Sequence, residues 1–297
     1  MLKLRKSTLY IILAISILLQ SPFCSAQSEM KNLQKNPARM PVYPNPIEIP
    51  LPFLEESPVI DGDLSEWKDY AYHDGVWDIY RVMHSYWYRP ENNRLTDHGN
   101  EPRPEDDLQS RYYMAWDNTY LYLGAEVHDN VNDISDPNHQ PRRWFYKDCV
   151  CWFLEAPRDT LSEAFEQGDN AFCFVIDVLK PDYGAWWRHG AAGQRNIEEP
   201  IPKKAVSYEI RMNPWNQSQA DYILEARVNM AMTFAISDPN WQLPKMGDIY
   251  SVEIVHTDPD GGDYGGHLII YGTGNDDGTW GKMILVGPQK PVERKGK

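Results

Sequence analysis

The chain has 297 residues, 43 acidic against 29 basic side chains, a formal net charge of −14, and 12% aromatic residues. Acidity of that order excludes nucleic acid and anionic membrane as partners, since both repel it over a screening length of roughly 8–10 Å. It suits neutral glycans and bound divalent cations, and most of the charges serve a solvated surface.

In chain order, Lys3, Arg5 and Lys6 lead into an apolar run over residues 9–19, and Cys24, Ser25 and Ala26 are small residues ahead of a cut. Residues 1–26 are expected to be a signal peptide, with the mature chain starting at Gln27 in a secreted or periplasmic location. The run falls short of the ~20 apolar residues of a membrane span, and no later segment comes near that length. Losing Lys3, Arg5 and Lys6 takes the net charge from −14 to −17.

Residues 27–52 hold Pro37, Pro41, Pro44, Pro46, Pro50 and Pro52 and read as an extended leader. One sandwich domain is expected over 53–286, followed by a polar tail, 287–297. Leu121, Leu123, Ala125 and Val127 share one face of a strand over 120–128, and Tyr120, Tyr122, Glu126 and His128 the other. Asp117, Asn118 and Thr119 tolerate tight-turn geometry, so this strand forms a hairpin with 111–116. Further strands are predicted over 149–155, 171–179, 206–212, 222–230, 249–256, 267–271 and 282–286, with a helical turn or two over 160–167. Two aromatic-rich loops stand out, 77–104 with Tyr86, Trp87 and Tyr88, and 181–190 with Trp186 and Trp187. Short strands separated by turn signals define an all-β chain, a single antiparallel, jelly-roll-like β-sandwich with long loops.

The ordered motifs carry a resemblance. Val59-Ile60-Asp61-Gly62-Asp63 with Trp67, and the run from Met114 to Asp129, resemble the opening strands of the family 9 carbohydrate-binding module. Asp148 to Glu155 is similar to that family's D-x-V-E-I-F-I-D strand, and Tyr222 to Asn229, with Glu225, to its G-x-x-v-E-a-x-I strand. Gly247 to Asp258 looks like its G-x-x-I-G-F segment, and Trp280 to Leu285 like its closing W-G-x-l-x-L. The resemblance implies a secreted, non-catalytic sandwich that holds glycans, in company with polysaccharide-degrading enzymes.

Sugar recognition needs aromatic faces for the C–H side of a pyranose and planar polar groups for its hydroxyls. By resemblance, a sugar-facing Trp stands three residues before the strand's Asp; here Trp144 is four before Asp148 and Phe145 is three before it, so both are candidates. Trp186, Trp187 and Trp87 are candidates from the loops, the alternative being that these rings pack on one another. The family's second stacking Trp lies upstream of where Trp280 stands. Its sugar-bonding Glu and Arg are replaced by Cys151 and Cys173, on strands that the family pairs. That pairing suggests a Cys151–Cys173 disulfide, with Cys149 as an alternative partner and three buried thiols as the other outcome.

The resemblance also implies structural calcium. Asp258, Asp260 and Asp263 put hard oxygens on one glycine-containing loop, and Asp61 and Asp129 are further candidates. No histidine cluster or nucleophile elbow points to catalysis, so no enzyme is read. Haem, which distant relatives of this sandwich bind, would need an axial pair, and no spacing among the ten methionines selects one.

Overall fold

A strand with two unlike faces needs a covering for each. The computed structural model describes residues 46–75, 108–132, 144–159, 163–176, 184–258 and 266–290 except 273 and 275, together with the backbone of 84–89 and 94–97. The chain divides after Pro41 into two compact units, and the described residues all belong to the second.

The strands are β1 (Glu48–Leu51), β2 (Tyr72–Gly75), β3 (His84–Arg89), β4 (Arg94–Asp97), β5 (Leu108–Trp116), β6 (Tyr120–Asp129), β7 (Cys149–Glu155), β8 (Asp169–Val175), β9 (Ala185–Ala191), β10 (Gln194–Pro200), β11 (Val206–Met212), β12 (Tyr222–Asn229), β13 (Ile249–Asp258), β14 (Gly266–Ile269) and β15 (Gly281–Leu285). The larger sheet runs β10-β9-β8-β7-β13-β14-β3-β4, and β15 pairs with both β13 and β1. The smaller runs β11-β12-β6-β5-β2. Pairing is antiparallel except for the parallel β1–β15 edge, so the chain is an all-β sandwich.

Period two decides what fills it. Leu121, Leu123, Ala125 and Val127 of β6 share one core with Val150, Trp152 and Leu154 of β7, Phe172 and Phe174 of β8, and Val252 and Ile254 of β13. His256 joins the sheets inside this core, its Nδ1 2.7 Å from the Tyr112 hydroxyl and its Nε2 3.0 Å from that of Tyr222. The outer face of β6 is covered by the turn that follows β1: Leu64 and Trp67 pack with Tyr113, Tyr122 and Ile223.

Buried Glu225 holds that turn. Its Oε2 accepts the N–H groups of Asp61 and Gly62, both at 2.9 Å, and its Oε1 accepts the Trp67 indole N–H at 2.8 Å. Gly62 takes φ +82°, a conformation open to glycine. Two motifs read far apart in the chain are thus one structural unit.

The structure changes the sequence-based outline in four places. The sandwich begins at Glu48 rather than residue 53, because Ile49 and Leu51 are fully buried and β1 closes the β15 edge. The loop 77–104 contains β3 and β4, with β3 paired to β14. Residues 185–200 form the β9–β10 hairpin, so the aromatic-rich stretch expected as a loop over 181–190 holds a strand from Ala185 onward. The helix, α1 (Met230–Ser237), lies outside 160–167, where residues 163–168 form turns. Asn229 starts α1 by accepting the Met232 N–H at 3.0 Å, and Phe234 anchors it in the core.

Glu225→Ala is expected to lower the unfolding free energy by about 3 kcal/mol or more, since three donors lose their acceptor at about 1–3 kcal/mol each. Urea denaturation measures this; a midpoint equal to the parent's would mean that something other than Glu225 holds the turn.

Candidate functional site

The outer face of the larger sheet gathers most of the aromatic candidates. Across β13, β7, β8 and β9 the register aligns Val255, Cys151, Cys173 and Trp186 in one row. Trp144, from the 3-10 turn Trp144–Tyr146, packs over this face with Phe153, Phe165 and Trp280, while Phe145 and Trp186 sit half-buried at its margin. Trp144 is 6% exposed and stacks on His267, ring centroids 5.9 Å apart. It is therefore not an open platform, and the more accessible rings are Phe145 and Trp186.

Alternation along β9 sends Trp187 to the other side. It is 1% exposed in the main core, stacked on Phe172 and His189, and its indole N–H donates to Asn170 Oδ1 at 3.1 Å. Trp187 is a core residue and not a sugar platform. The side chain of Trp87 lies outside the described residues, although its backbone belongs to β3.

The cysteines form part of the floor. Cys151 opposes Cys173 as expected, but all three cysteines are free and buried, and the Cys149 and Cys151 sulfurs are 3.5 Å apart. Burial pushes the Cys149 thiol up to about 11 and raises that of Cys151, so at neutral pH they are protonated small hydrophobes.

Polar groups enter from residues that the sequence did not single out. Arg188, two positions after Trp186, shares its face; its guanidinium lies 4.8 Å from the Phe165 ring centroid and pairs with Glu198. The indole N–H groups of Trp144 and Trp186 and the Nε–H of Arg188 are buried with no acceptor among the described residues. Strand alternation would have grouped Trp186 with Arg188, had 181–190 been read as a strand.

The calcium candidates separate. Asp61 is in an exposed turn, its Oδ1 accepting the Asp63 N–H at 3.0 Å, and it does not join Asp129. Asp260 and Asp263 lie outside the described residues. Asp129 and Asp258, at the ends of β6 and β13, meet Asp148, just before β7: one oxygen from each lies within 4.8 Å of the others, and all three residues are buried. Three hard carboxylate donors at that spacing fit calcium.

No protein-family model matches the sequence, and no curated protein does. Among solved structures, a family 9 carbohydrate-binding module from Caldicellulosiruptor kristjanssonii in complex with cellotriose is similar at 15% identity and TM-score 0.51, covering 84% of this chain and 99% of that one. A module of the same family and organism in complex with glucose is similar at 16% identity and TM-score 0.50, covering 82% and 98%. The chain therefore has the fold of a family 9 carbohydrate-binding-module sandwich. No described helix is long and apolar enough to cross a membrane.

Burial pulls His267 down from 6.5 to about 4, against the opposing influence of the Phe145 backbone. The folded state thus keeps the ring neutral where the unfolded chain takes up a proton, so stability falls as pH drops from about 6.5 towards 4. The slope due to this group approaches about 1.4 kcal/mol per pH unit. His267→Phe, which keeps a ring against Trp144, should flatten that slope in urea unfolding measured across the window; an unchanged slope would assign it elsewhere.

Proposed function

We propose that the protein is a secreted, non-catalytic carbohydrate-binding protein that holds a glycan on the outer face of the larger sheet. The observation carrying this reading is the pair of half-buried rings, Phe145 and Trp186, left at the margin of the outer-face aromatic cluster, with Arg188 on the same face as Trp186. Half-buried rings of this kind would meet the C–H face of a pyranose, and the partly exposed Arg188 guanidinium, beside Glu198, would donate to its hydroxyls. The ligands held in the two similar structures, cellotriose and glucose, make β-glucans the first glycans to test. Cys151 and Cys173 leave the floor apolar, so polar selection would come from the margin. Capture of glycan beside polysaccharide-degrading enzymes follows from this reading.

Calcium at Asp129, Asp148 and Asp258 belongs to the same proposal. There it would tie together the ends of β6, β7 and β13, a structural role.

Calorimetric titration of the mature chain with glucose, cello-oligosaccharides and other neutral glycans tests the reading. Saturable binding weakened at least tenfold by Trp186→Ala supports it; binding indifferent to Trp186→Ala places the glycan elsewhere. Silence across the panel overturns the glycan reading.

A further inference from the structure

β1 stands at an edge of the larger sheet and β2 at an edge of the smaller, and the seam between them is hollow. The end of β1, the strand β2 with the turn before it, and the segment after β15 enclose a cavity of about 410 Å³. That lies within the roughly 300–1,000 Å³ of small-ligand sites. No residue of the cavity belongs to the outer-face aromatic cluster.

The walls are held before any ligand arrives. Trp116 fastens one of them: its indole N–H donates to Leu51 O and Val286 O, both at 3.1 Å, and the Val286 N–H donates to Leu51 O at 2.9 Å. Pro50 and Pro52 thereby line the same cavity as Val286, Gln289 and Lys290. The other wall runs from Asp69 to His73, and its Tyr70 N–H donates to Trp67 O at 2.9 Å, so it hangs from the turn that Glu225 holds. The Tyr72 hydroxyl donates to Asp74 Oδ2 at 3.0 Å, and the half-buried Tyr72 ring rests on the main core. Tyr70 is 42% exposed, a large aromatic that lines a cavity and is still open to solvent.

The lining narrows what the cleft can take. An added β-strand is disfavoured, because Pro50 and Pro52 have no N–H with which to pair. A charged ligand is disfavoured as well, since the Asp69 carboxylate and the Lys290 ammonium set opposite charges on the same cavity. A neutral polyhydroxyl ring meets both conditions. Its C–H face matches tyrosine and proline rings, and its hydroxyls, which donate and accept, match a carboxylate acceptor, an amide and an ammonium donor. We propose that this cleft is a second carbohydrate site, for a short neutral oligosaccharide, with Tyr70 as its principal ring and Gln289 and Lys290 as donors to sugar oxygens. Walls already in place keep the ordering cost of binding low. The inference goes beyond the outer-face reading and does not need it, because the two sites share no residue.

The isotope-labelled mature chain is titrated by NMR with cellotriose, xylotriose, mannotriose and maltotriose, with sorbitol and a proline-rich peptide as controls. The expected result is saturable movement of the Ala71, Val286 and Gln289 amide signals with at least one trisaccharide, at an affinity that Tyr70→Ala lowers about tenfold. Lys290→Ala should lower it by a smaller factor, and both side chains are exposed, so neither variant should disturb the rest of the spectrum. Trp186→Ala, which disables the outer face, should leave the cleft signals responding as in the parent; failure of one site is thus told from failure of the other. Cleft amides that stay still across the trisaccharides at millimolar concentration overturn the proposal. So do an equal response to sorbitol, a response to the peptide alone, shifts that Tyr70→Ala leaves unchanged, and shifts that vanish in Trp186→Ala.

Discussion

A carboxylate taken out of water must be met by donors or by a cation, and the way each buried acid is met organises this sandwich. Glu253 accepts the N–H groups of Ile254 at 2.8 Å, Ile270 at 2.9 Å and Tyr271 at 2.8 Å on one oxygen and that of Gly272 on the other. One side chain of β13 thereby fastens the segment leaving β14, at a point where a Cβ on Gly272 would overlap the Thr279 backbone. Glu225 does the same for the turn after β1. Backbone that leaves a sheet and runs across it needs partners for its N–H groups, and a buried glutamate supplies several at once. The cluster of Asp129, Asp148 and Asp258 differs in kind: it sets acid against acid, and such an arrangement is balanced by protons or by a metal ion.

Strand alternation then distributes the aromatic residues. Trp186 and Trp187 are neighbours in sequence and have unlike roles, because successive side chains on β9 point to opposite faces. The outer row of Val255, Cys151, Cys173 and Trp186 and the inner residues Trp152, Phe172 and Trp187 are the two sides of the same strands. A one-residue register shift would put Cys151 and Cys173 in the core and expose Trp152 and Phe172, so the packing that stabilises the sandwich also fixes which groups line the outer face.

The central strands were legible because each carries its own pattern: a continuous apolar run from Cys149 to Leu154, alternation from Tyr120 to His128, and a turn at Asp117 between two strand runs. The missed strands lack this. β10 is Gln-Arg-Asn-Ile-Glu-Glu-Pro, almost wholly exposed at a sheet edge, and it is a strand because β9 supplies its hydrogen bonds. α1 has apolar residues on every side, so no period distinguished it from a strand; the Asn229 cap marks where β12 stops and the helix starts. For the site, residue types were readable and groupings were not. Asp129 and Asp258 were both singled out as ligands, but their companion is Asp148, 110 positions before Asp258 and visible in sequence only as the first residue of a motif. Cys151 and Cys173 came together as expected from the paired strands, and what they make is an apolar floor of free thiols.

That floor has a consequence for recognition. With cysteine at both positions, a glycan seated on the outer face would find no charged group beneath it, and a hydrogen bond from the margin would come from Arg188, whose charge Glu198 already offsets. A guanidinium so offset would read the position of a sugar oxygen with little reward for a negative charge, in keeping with an acidic chain that repels uronate-rich polymers. The favourable free energy would then come chiefly from taking ring faces and the C–H side of the sugar out of water, a contribution that depends little on salt. Geometry rather than charge would do the discriminating: the parts of the Phe145 and Trp186 rings left uncovered decide which pyranose face can be taken out of water while a hydroxyl still reaches Arg188.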